Sequence, residues 1–567
     1  MYENMIEMLN PKPRFNLTWY NDADVYSEGE VEDVIVDIIA HNEPEDYVQA
    51  IADHYCWSVF YHLTHIRKNI LNWYPFSKES SVLEIGCGLG AITGLLCDRC
   101  KDVTAVELSR RRATGTLLRC REKENLEIIV GNLNDIQFEK KYDYITLIGV
   151  LEYQGSYTDT ENPYLDFLKK IKGLLKPDGK VLIAIENQYG LKYWCGARED
   201  HTGLPFEGLN QYTLSNKKVR TFSKSALDNL VKESGFKNAF FYYPMPDYKL
   251  PTVIYSSKKL PANKNMMDMR YYYIPDGSTL IAQEENVYQD IIDNKVFEFF
   301  ANSFLVECSD SSQLGEVSFA SLSSHRFKEY QTGTKFNDKD EVIKYALQSN
   351  TGIRHLEQIL RNEQELQERG LNVWCSEFRK EELVMGYCDA RTLEEVLIDE
   401  YHNKNIDRIY EIFDSVYEEI LRSSESVSWE DNILYTFGLG LEPDEQKYGV
   451  ILKKAYVDMI PRNAFWIDGQ ICWFDQEYIL ENAPAKWVIY RVVRLLYSSF
   501  PEIAQIVPMN DLLKRYELDT VVGELQVIEN LFYEVVLDQL HCSEYNGFAK
   551  DTRKFCLDNI SRLITRR

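Results

Sequence analysis

Residues 82 to 90, VLEIGCGLG, constrain the fold of this chain more than any other stretch. A strand from Ser81 to Ile85 runs into a turn built on Gly86, Gly88 and Gly90, and the apolar-periodic segment Ala91 to Cys97 then reads as a helix. Glycine belongs in such a turn because the backbone passes close to a ligand and takes conformations that a side chain forbids. Seventeen positions beyond Gly90, the short apolar run VTAVEL carries Glu107 near its end. A carboxylate at about that offset, at the end of the next strand, meets ribose hydroxyls. The unit reads as a site for an adenosyl-bearing cofactor.

Gly86, Gly88 and Ala91 also fit the G-x-G-x-x-[GA] spacing of dinucleotide enzymes, so a nicotinamide-dependent dehydrogenase is the first alternative. No second mononucleotide half follows, which weakens it. Instead EIIVGNLNDI, KYDYITLIGVLEY and LLKPDGKVLIAIEN supply a third, fourth and fifth strand, and KNAFFYYPMPDYKLPTVIYSS gives two β-rich runs split by Pro and Asp. In this order the segments resemble the successive motifs of class I S-adenosylmethionine-dependent methyltransferases across residues 50 to 258, with a terminal antiparallel hairpin at 237 to 257. The resemblance implies an α/β, Rossmann-like domain with S-adenosylmethionine as cofactor. Glu84 stands in the leading acidic position; Gly86, Gly88 and Gly90 would approach the methionine part and Glu107 the ribose. Asn132 and Asp135 lie where the family contacts adenine, although Asp is commoner than Asn at the first. Glu152, in the LEY triplet, would face the methyl-transfer cleft. The plain structural alternative for Glu84 and Glu152 is capping of backbone amides.

The chain has 567 residues, enough for two or three domains. With 89 acidic against 63 basic residues, its net charge of -26 argues against a general nucleic-acid binder. Arg110, Arg111, Arg112, Arg119, Arg121 and Lys123 crowd one helix, either as a solvated face or as a site for a phosphate-bearing substrate. The twelve cysteines read as reduced core thiols, and Cys97 with Cys100 is a lone C-x-x-C without a second pair. Neither a signal peptide nor an apolar run of about 18 residues is present, so a cytoplasmic location is expected.

Residues 17 to 75 carry helical apolar spacing and many aromatics, and read as a helical cap with Trp19, Tyr20 and Tyr26 as lid residues, or as an amphipathic helix packed on the sheet. His62 and His65 are three apart and would share a helix face. Between the fifth strand and the hairpin lies the loop-like insertion ENQYGLKYWCGAREDHTGLPFEGLNQYT. Loops at the C-terminal strand ends build the acceptor pocket in this fold, so His201 is the expected general base, with Tyr193, Trp194, Arg198 and Asp200 stacking on and hydrogen-bonding a sugar. The GLKYW, EDHTG and F pattern resembles methyltransferases of bacterial surface-polysaccharide synthesis, which implies a glycan or phosphoglycan acceptor.

Past the breaker-rich SSKKLPANKNMMDM a second unit begins. DEVIKYAL puts Lys344 on a strand; a helix follows, with Glu357 or Glu363 on its face; YVDMIPRNAFW and ICWFDQEY complete the series. The series resembles protein-kinase-like and small-molecule kinases. There Lys344 would hold nucleotide phosphates, Asp458 would orient the acceptor hydroxyl, and Asn463 with Asp475 would ligate magnesium. Three departures leave activity open: no Gly-rich loop precedes Lys344, Tyr456 replaces the usual His, and Gln476-Glu477 replaces Phe-Gly. The domain order resembles that of the bifunctional methyltransferase–kinase proteins that terminate O-antigen chains. The expected domains are a helical cap at 1–79, a methyltransferase domain at 80–258, a linker at 259–300, an α+β kinase-like domain at 301–500 and a helical region at 501–567. The basic amphipathic terminus RKFCLDNISRLITRR is either a solvated helix or a contact to a membrane surface or glycan polymerase. Rival readings are a small-molecule O- or N-methyltransferase with a silent C-terminal domain and a non-enzymatic assembly factor.

Overall fold

The computed structural model describes residues 2–21, 27–215, 218–262, 279–436, 447–548 and 552–565. The chain forms two compact units, one of residues 1–324 and 540–567 and one of residues 325–539.

Among the described residues the first unit has ten strands: β1 Arg14–Trp19, β2 Ser81–Ile85, β3 Asp102–Glu107, β4 Leu126–Gly131, β5 Tyr142–Ile148, β6 Leu175–Glu186, β7 Asn238–Met245, β8 Val253–Ser256, β9 Ser303–Ser309 and β10 Val317–Leu322. They lie side by side in the order β1-β4-β3-β2-β5-β6-β9-β7-β8-β10. The first six in that order pair parallel and the remainder antiparallel. Val82, Leu83, Val103, Ala105, Ile145 and Val181 have no exposed surface, because helices cover both faces of a parallel sheet. Helices Thr93–Arg99 and Arg110–Arg119 cross from β2 to β3 and from β3 to β4, whereas the chain reaches β5 on the other side of β2. That reversal opens a crevice at the C-terminal ends of β2 and β5, where ligands bind in doubly wound sheets.

The structure departs from the sequence reading at the two ends of this unit. Leu17 to Trp19 belong to β1, an edge strand parallel to β4, and not to a helix; the cap proper is helices Val31–His41, Tyr47–Asp53 and Trp57–Leu63, which bury Ile35, Val36 and Ile39 with Leu89 and Leu118. The hairpin of β7 and β8 is present, but β9 slots between β6 and β7, with Ile183 opposite Val306 and Phe241 opposite Val306 on the other side. All seven residues of β9 are buried, so Ser303–Ser309 belongs to the sheet of the first unit and the boundaries at 258 and 301 lie too early. Short helices at Tyr288–Asp293 and Phe297–Phe300 occupy part of the stretch read as a linker; residues 263–278 of it lie outside the described residues. The helical region at 501–567 is divided likewise, since residues beyond 539 rejoin the first unit: the His541 ring lies 4.6 Å from that of His65, and Asn559 donates to the Leu280 carbonyl at 2.8 Å.

The second unit carries the antiparallel strands β11 Thr332–Asn337, β12 Glu341–Ala346, β13 Glu377–Arg379 and β14 Glu382–Gly386 in the order β11-β12-β14-β13, with helix Ser349–Glu368 against them. A larger helical part follows, its core formed by Phe413, Val416, Trp473, Trp487 and Val492. Helix Leu393–His402 opens on a capping box in which Thr392 and Glu395 satisfy each other's backbone amides.

Candidate functional site

The crevice over β2 and β5 is a cavity of about 460 Å³. One end is floored by Gly86, Cys87 and Gly88, walled by Glu107 and Asn132; the other is lined by Glu152, Glu186, Asp200, His201, Tyr248 and Lys249; Trp57, Tyr61, His62, Arg67 and Glu28 come from the cap side.

Gly86 and Gly88 take φ of 74° and 57°, in the left-handed region that favours glycine. A Cβ on Gly86 would lie 2.7 Å from Val150 Cγ2, whereas one on Gly88 would meet nothing within 4 Å, so the Gly88 backbone fronts open space. Glu107 closes the turn: its Oε2 accepts from Gly88 N at 2.8 Å and its Oε1 from Ser109 N at 3.0 Å. Burial raises the Glu107 pKa above its ordinary value, with Arg112 and those amides opposing. An exposed loop backbone beside a carboxylate on the next strand suits an adenosyl cofactor with a ribose diol, so the residues present fit S-adenosylmethionine.

The cap is held by Arg111, Arg112 and Arg119 of helix Arg110–Arg119, whose guanidiniums are engaged by the cap's own carboxylates and carbonyls. Arg112 pairs with Glu28 at 3.0 Å and Glu32 at 2.7 Å, Arg111 with Glu32 and Asp33, and Arg119 donates to the His62 carbonyl at 2.7 Å. Arg121 pairs with Glu43 and Lys123 with Asp98. Burial works against the Glu28 carboxylate, yet His62 and Arg112 hold its pKa down to about 2; burial lowers that of His62.

The opposite end is a network of buried charge. Lys192 bridges Asp200 and Asp247, both at 2.9 Å, and Lys249 bridges Glu186 and Asp200. His201 Nδ1 lies 3.1 Å from the Tyr153 hydroxyl and Nε2 lies 3.4 Å from Glu186 Oε2. Burial opposes the charged form of His201, but Glu186 reverses this and lifts the pKa to about 9. Burial also opposes the Glu186 carboxylate, while Lys249 and His201 hold its pKa well below the usual range. Glu152 is 1% exposed, and neither carboxylate oxygen has a hydrogen-bond partner; burial and the charge of Glu186 push its pKa up to about 8.

The structure brings some of the expected site residues together and places others elsewhere. Gly86, Gly88, Glu107, Asn132, Glu152, Asp200 and His201 line one cavity. Gly90 does not: a Cβ there would lie 3.0 Å from Thr116 Cα, so it allows helix Arg110–Arg119 to pack on the turn. Glu84 is buried at the end of β2 outside the lining, and Asp135 is exposed and replaced in the cavity by Asn134. His201 is no free base at neutral pH, since the carboxylates around it keep it protonated. Tyr193 donates to Asp200 at 2.6 Å, Trp194 is exposed against Phe300 and Arg198 donates to the Gly203 carbonyl; none of the three lines the cavity. Trp19 and Tyr20 are absent from the lining, Tyr26 lies outside the described residues, and Trp57 and Tyr61 take the aromatic positions. His62 faces the cavity, whereas His65 Nε2 lies 2.8 Å from the Ser324 carbonyl, so the pair does not share a face. Glu186, Tyr248 and Lys249 escaped the sequence reading, although Glu186 ends β6 as Glu107 ends β3.

In the second unit Lys344 pairs with Asp475 and Glu477. Glu363 is turned to Ser376, accepting from its amide at 2.9 Å, and Glu357 is exposed beside Arg361. Asp458 Oδ2 accepts from the amides of Glu477 at 3.1 Å and Tyr478 at 3.2 Å, and burial with the Glu477 charge pushes its pKa up to about 7. One oxygen of that carboxylate is thus engaged by the Glu477–Tyr478 backbone. Asn463 Nδ2 donates to the Asp458 carbonyl at 3.4 Å.

Residues 58–239 match a family model described as a methyltransferase domain. The first unit thus carries a Rossmann-like methyltransferase domain of the S-adenosylmethionine-dependent kind. A malonyl-[acyl-carrier protein] O-methyltransferase of Priestia megaterium is 30% identical over 127 residues, 22% of this chain and 42% of that protein. An uncharacterized methyltransferase of Staphylococcus carnosus is 33% identical over 115 residues, 20% of this chain and 51% of that protein. The chain spans about half the length, or less, of these curated relatives. Among solved structures, the N-methyltransferase NodS of Bradyrhizobium japonicum with S-adenosyl-L-homocysteine is 17% identical, covering 29% of this chain and 78% of that one at a TM-score of 0.22.

Proposed function

We propose that the first unit transfers a methyl group from S-adenosylmethionine to an oxygen of a glycan or phosphoglycan acceptor in surface-polysaccharide synthesis. The observation that carries this reading is the single cavity that joins the Gly86–Gly88 turn and Glu107 to a second end made of charged and hydroxyl-bearing side chains. The bound cofactor would supply an electrophilic methyl group. The chain's part is alignment and the handling of the acceptor's hydroxyl proton. Lys192, Lys249 and the tyrosines lock the carboxylates of the acceptor end, and a polyhydroxylated ligand suits such a wall because each hydroxyl both donates and accepts.

The test is transfer from labelled S-adenosylmethionine to a panel of oligosaccharides, phosphosaccharides and small metabolites by the full chain. Label on a glycan oxygen supports the reading. Turnover confined to small metabolites removes the glycan assignment, and absence of cofactor binding removes the enzyme assignment.

For the second unit, a kinase-like domain using ATP and magnesium is the accompanying proposal, supported by Lys344 on β12 paired with Asp475. Nucleotide would have to draw Lys344 away from Glu477. A thermal shift with ATP and magnesium that Asp475→Ala abolishes would support it; no shift at millimolar nucleotide would leave a scaffold.

A further inference from the structure

The acceptor end brings two buried carboxylates and an imidazole within ligating reach of one another, and one of the carboxylates is left without a hydrogen-bond partner. One oxygen each of Glu152 and Glu186 and one ring nitrogen of His201 lie within 4.8 Å of one another. Glu152 is the informative member, since a buried carboxylate with neither oxygen partnered is costly unless something else meets it.

We propose that Glu152, Glu186 and His201 bind a divalent cation of the manganese or magnesium kind, with its remaining positions open to acceptor oxygens. The proposal rests on the methyltransferase reading for what the cation does, and on the geometry alone for where it binds. Bonds of about 2.1 Å around an octahedral ion put ligand atoms roughly 3 to 4.3 Å apart, so a shift of a few tenths of an ångström per side chain assembles the site.

The surroundings orient these ligands. The Lys249 ammonium and the Tyr248 hydroxyl, at 3.3 Å, both engage Glu186 Oε1, which leaves Oε2 as the oxygen turned to His201. With Nδ1–H donating to the Tyr153 hydroxyl, Nε2 is the nitrogen offered to an ion. The ammoniums of Lys192 and Lys249 meet Asp200, Asp247 and Glu186 and leave Glu152 unpaired, so a dication between Glu152 and Glu186 would hold Glu152 as the carboxylate and take the place of the proton on His201. Two hard oxygen ligands and one imidazole suit manganese well, and an ion that keeps open positions can coordinate an acceptor hydroxyl, acidify it and fix it beside the cofactor end of the same cavity. His201 would then serve as a neutral ligand, its Nε2 proton displaced by the ion, and not as a base, because the metal ion would make the hydroxyl oxygen the nucleophile and its proton would pass to solvent.

The experiment is a titration of EDTA-stripped full-length protein with manganese, followed by electron paramagnetic resonance of the free ion and by melting temperature, with S-adenosylmethionine affinity measured in parallel. One tight manganese per chain is expected at this site, weakened at least tenfold in Glu152→Gln and in Glu186→Gln, while cofactor affinity in both variants stays within about threefold and so reports an intact fold. Manganese binding that is unchanged in both variants places the ion elsewhere and overturns the proposal. Failure of manganese, magnesium and zinc to bind protein that still binds the cofactor also overturns it, and leaves the methyltransferase reading standing. Manganese binding lost in the variants, in protein that never binds the cofactor, keeps the metal site and rejects the methyltransferase reading.

Discussion

Removal of the Glu107 carboxylate tests the architecture of the cofactor end most directly. In Glu107→Ala the amides of Gly88 and Ser109 both lose their acceptor, at 2.8 and 3.0 Å. A hydrogen bond to a charged group nets about 1.5 to 3 kcal/mol, so two of them set a ceiling of about 6 kcal/mol. Water in the adjoining cavity can replace part of this, and the expected loss of stability is about 2 to 4 kcal/mol. A ribose diol loses its acceptor in the same variant, so S-adenosylmethionine affinity should fall a further 30- to 150-fold, equivalent to about 2 to 3 kcal/mol. Urea denaturation of wild type and variant gives the first number, and calorimetric titration gives the second. Adding saturating cofactor to the denaturation links the two, because the wild type gains stability with ligand concentration and the variant should gain far less. A folded Glu107→Ala protein within about 0.5 kcal/mol of wild type, with unchanged affinity, would refute the role assigned to this carboxylate.

The two loop glycines should separate strain from occlusion. Gly86→Ala combines a φ of 74° with a 2.7 Å approach to Val150 and should cost about 2 to 4 kcal/mol, whereas Gly88→Ala, with open space around its Cβ, should cost about 1 kcal/mol by denaturation yet still impair cofactor binding. The pH dependence of stability in EDTA should carry the mark of His201. Its folded pKa of about 9 exceeds the ordinary 6.5, so its contribution is complete below pH 6.5 and is lost as pH rises through 9, at most about 3 kcal/mol, and His201→Asn should flatten that window in urea titrations. A variant with the wild-type slope between pH 6.5 and 9 would contradict the charged imidazole. In the second unit Lys344→Met removes the ammonium shared by the Asp475 and Glu477 carboxylates, leaving Arg326 and His355 beside Glu477, and should destabilise the protein by about 3 kcal/mol in the same assay; a neutral effect would mean that the pairs contribute nothing.

What the sequence made legible is local. The glycine turn shows itself because positive φ is a property of three or four consecutive residues, and Glu107 follows because the offset from turn to next strand is short. Lys344 on β12 and the helix after it are visible for the same reason. The acceptor end is assembled over distance: Glu186 ends β6, Lys249 follows β7 sixty-three positions later, and only the sheet order brings them together. Nothing in SFLVECS announces that β9 will pass between β6 and β7 and not begin another domain, since a buried run of seven residues has no alternation to reveal its neighbours. The misassigned base has a related cause. Histidine has an intrinsic pKa suited to proton abstraction, but the carboxylates that change it are distant in sequence. Asp458 resembles a hydroxyl-orienting aspartate by spacing from Asn463, and only the backbone path at Glu477 and Tyr478 shows that its oxygen is already used.

The chain leaves the first unit after residue 324 and returns to it at residue 540, so the second unit is spliced into the first as a continuous excursion. On a ribosome this fixes an order of events. Residues 325–539 are all synthesised before the helices that complete the first unit, so most of their core can collapse first. Helix Thr552–Thr565 brings Asn559 to the Leu280 carbonyl, and His541 reaches the rings of Phe60 and His65, so the cap acquires these partners only after the whole second unit has been made. A chain cut at residue 324 would therefore leave the apolar surface around Phe60 and His65 without these partners, whatever its glycine turn could bind.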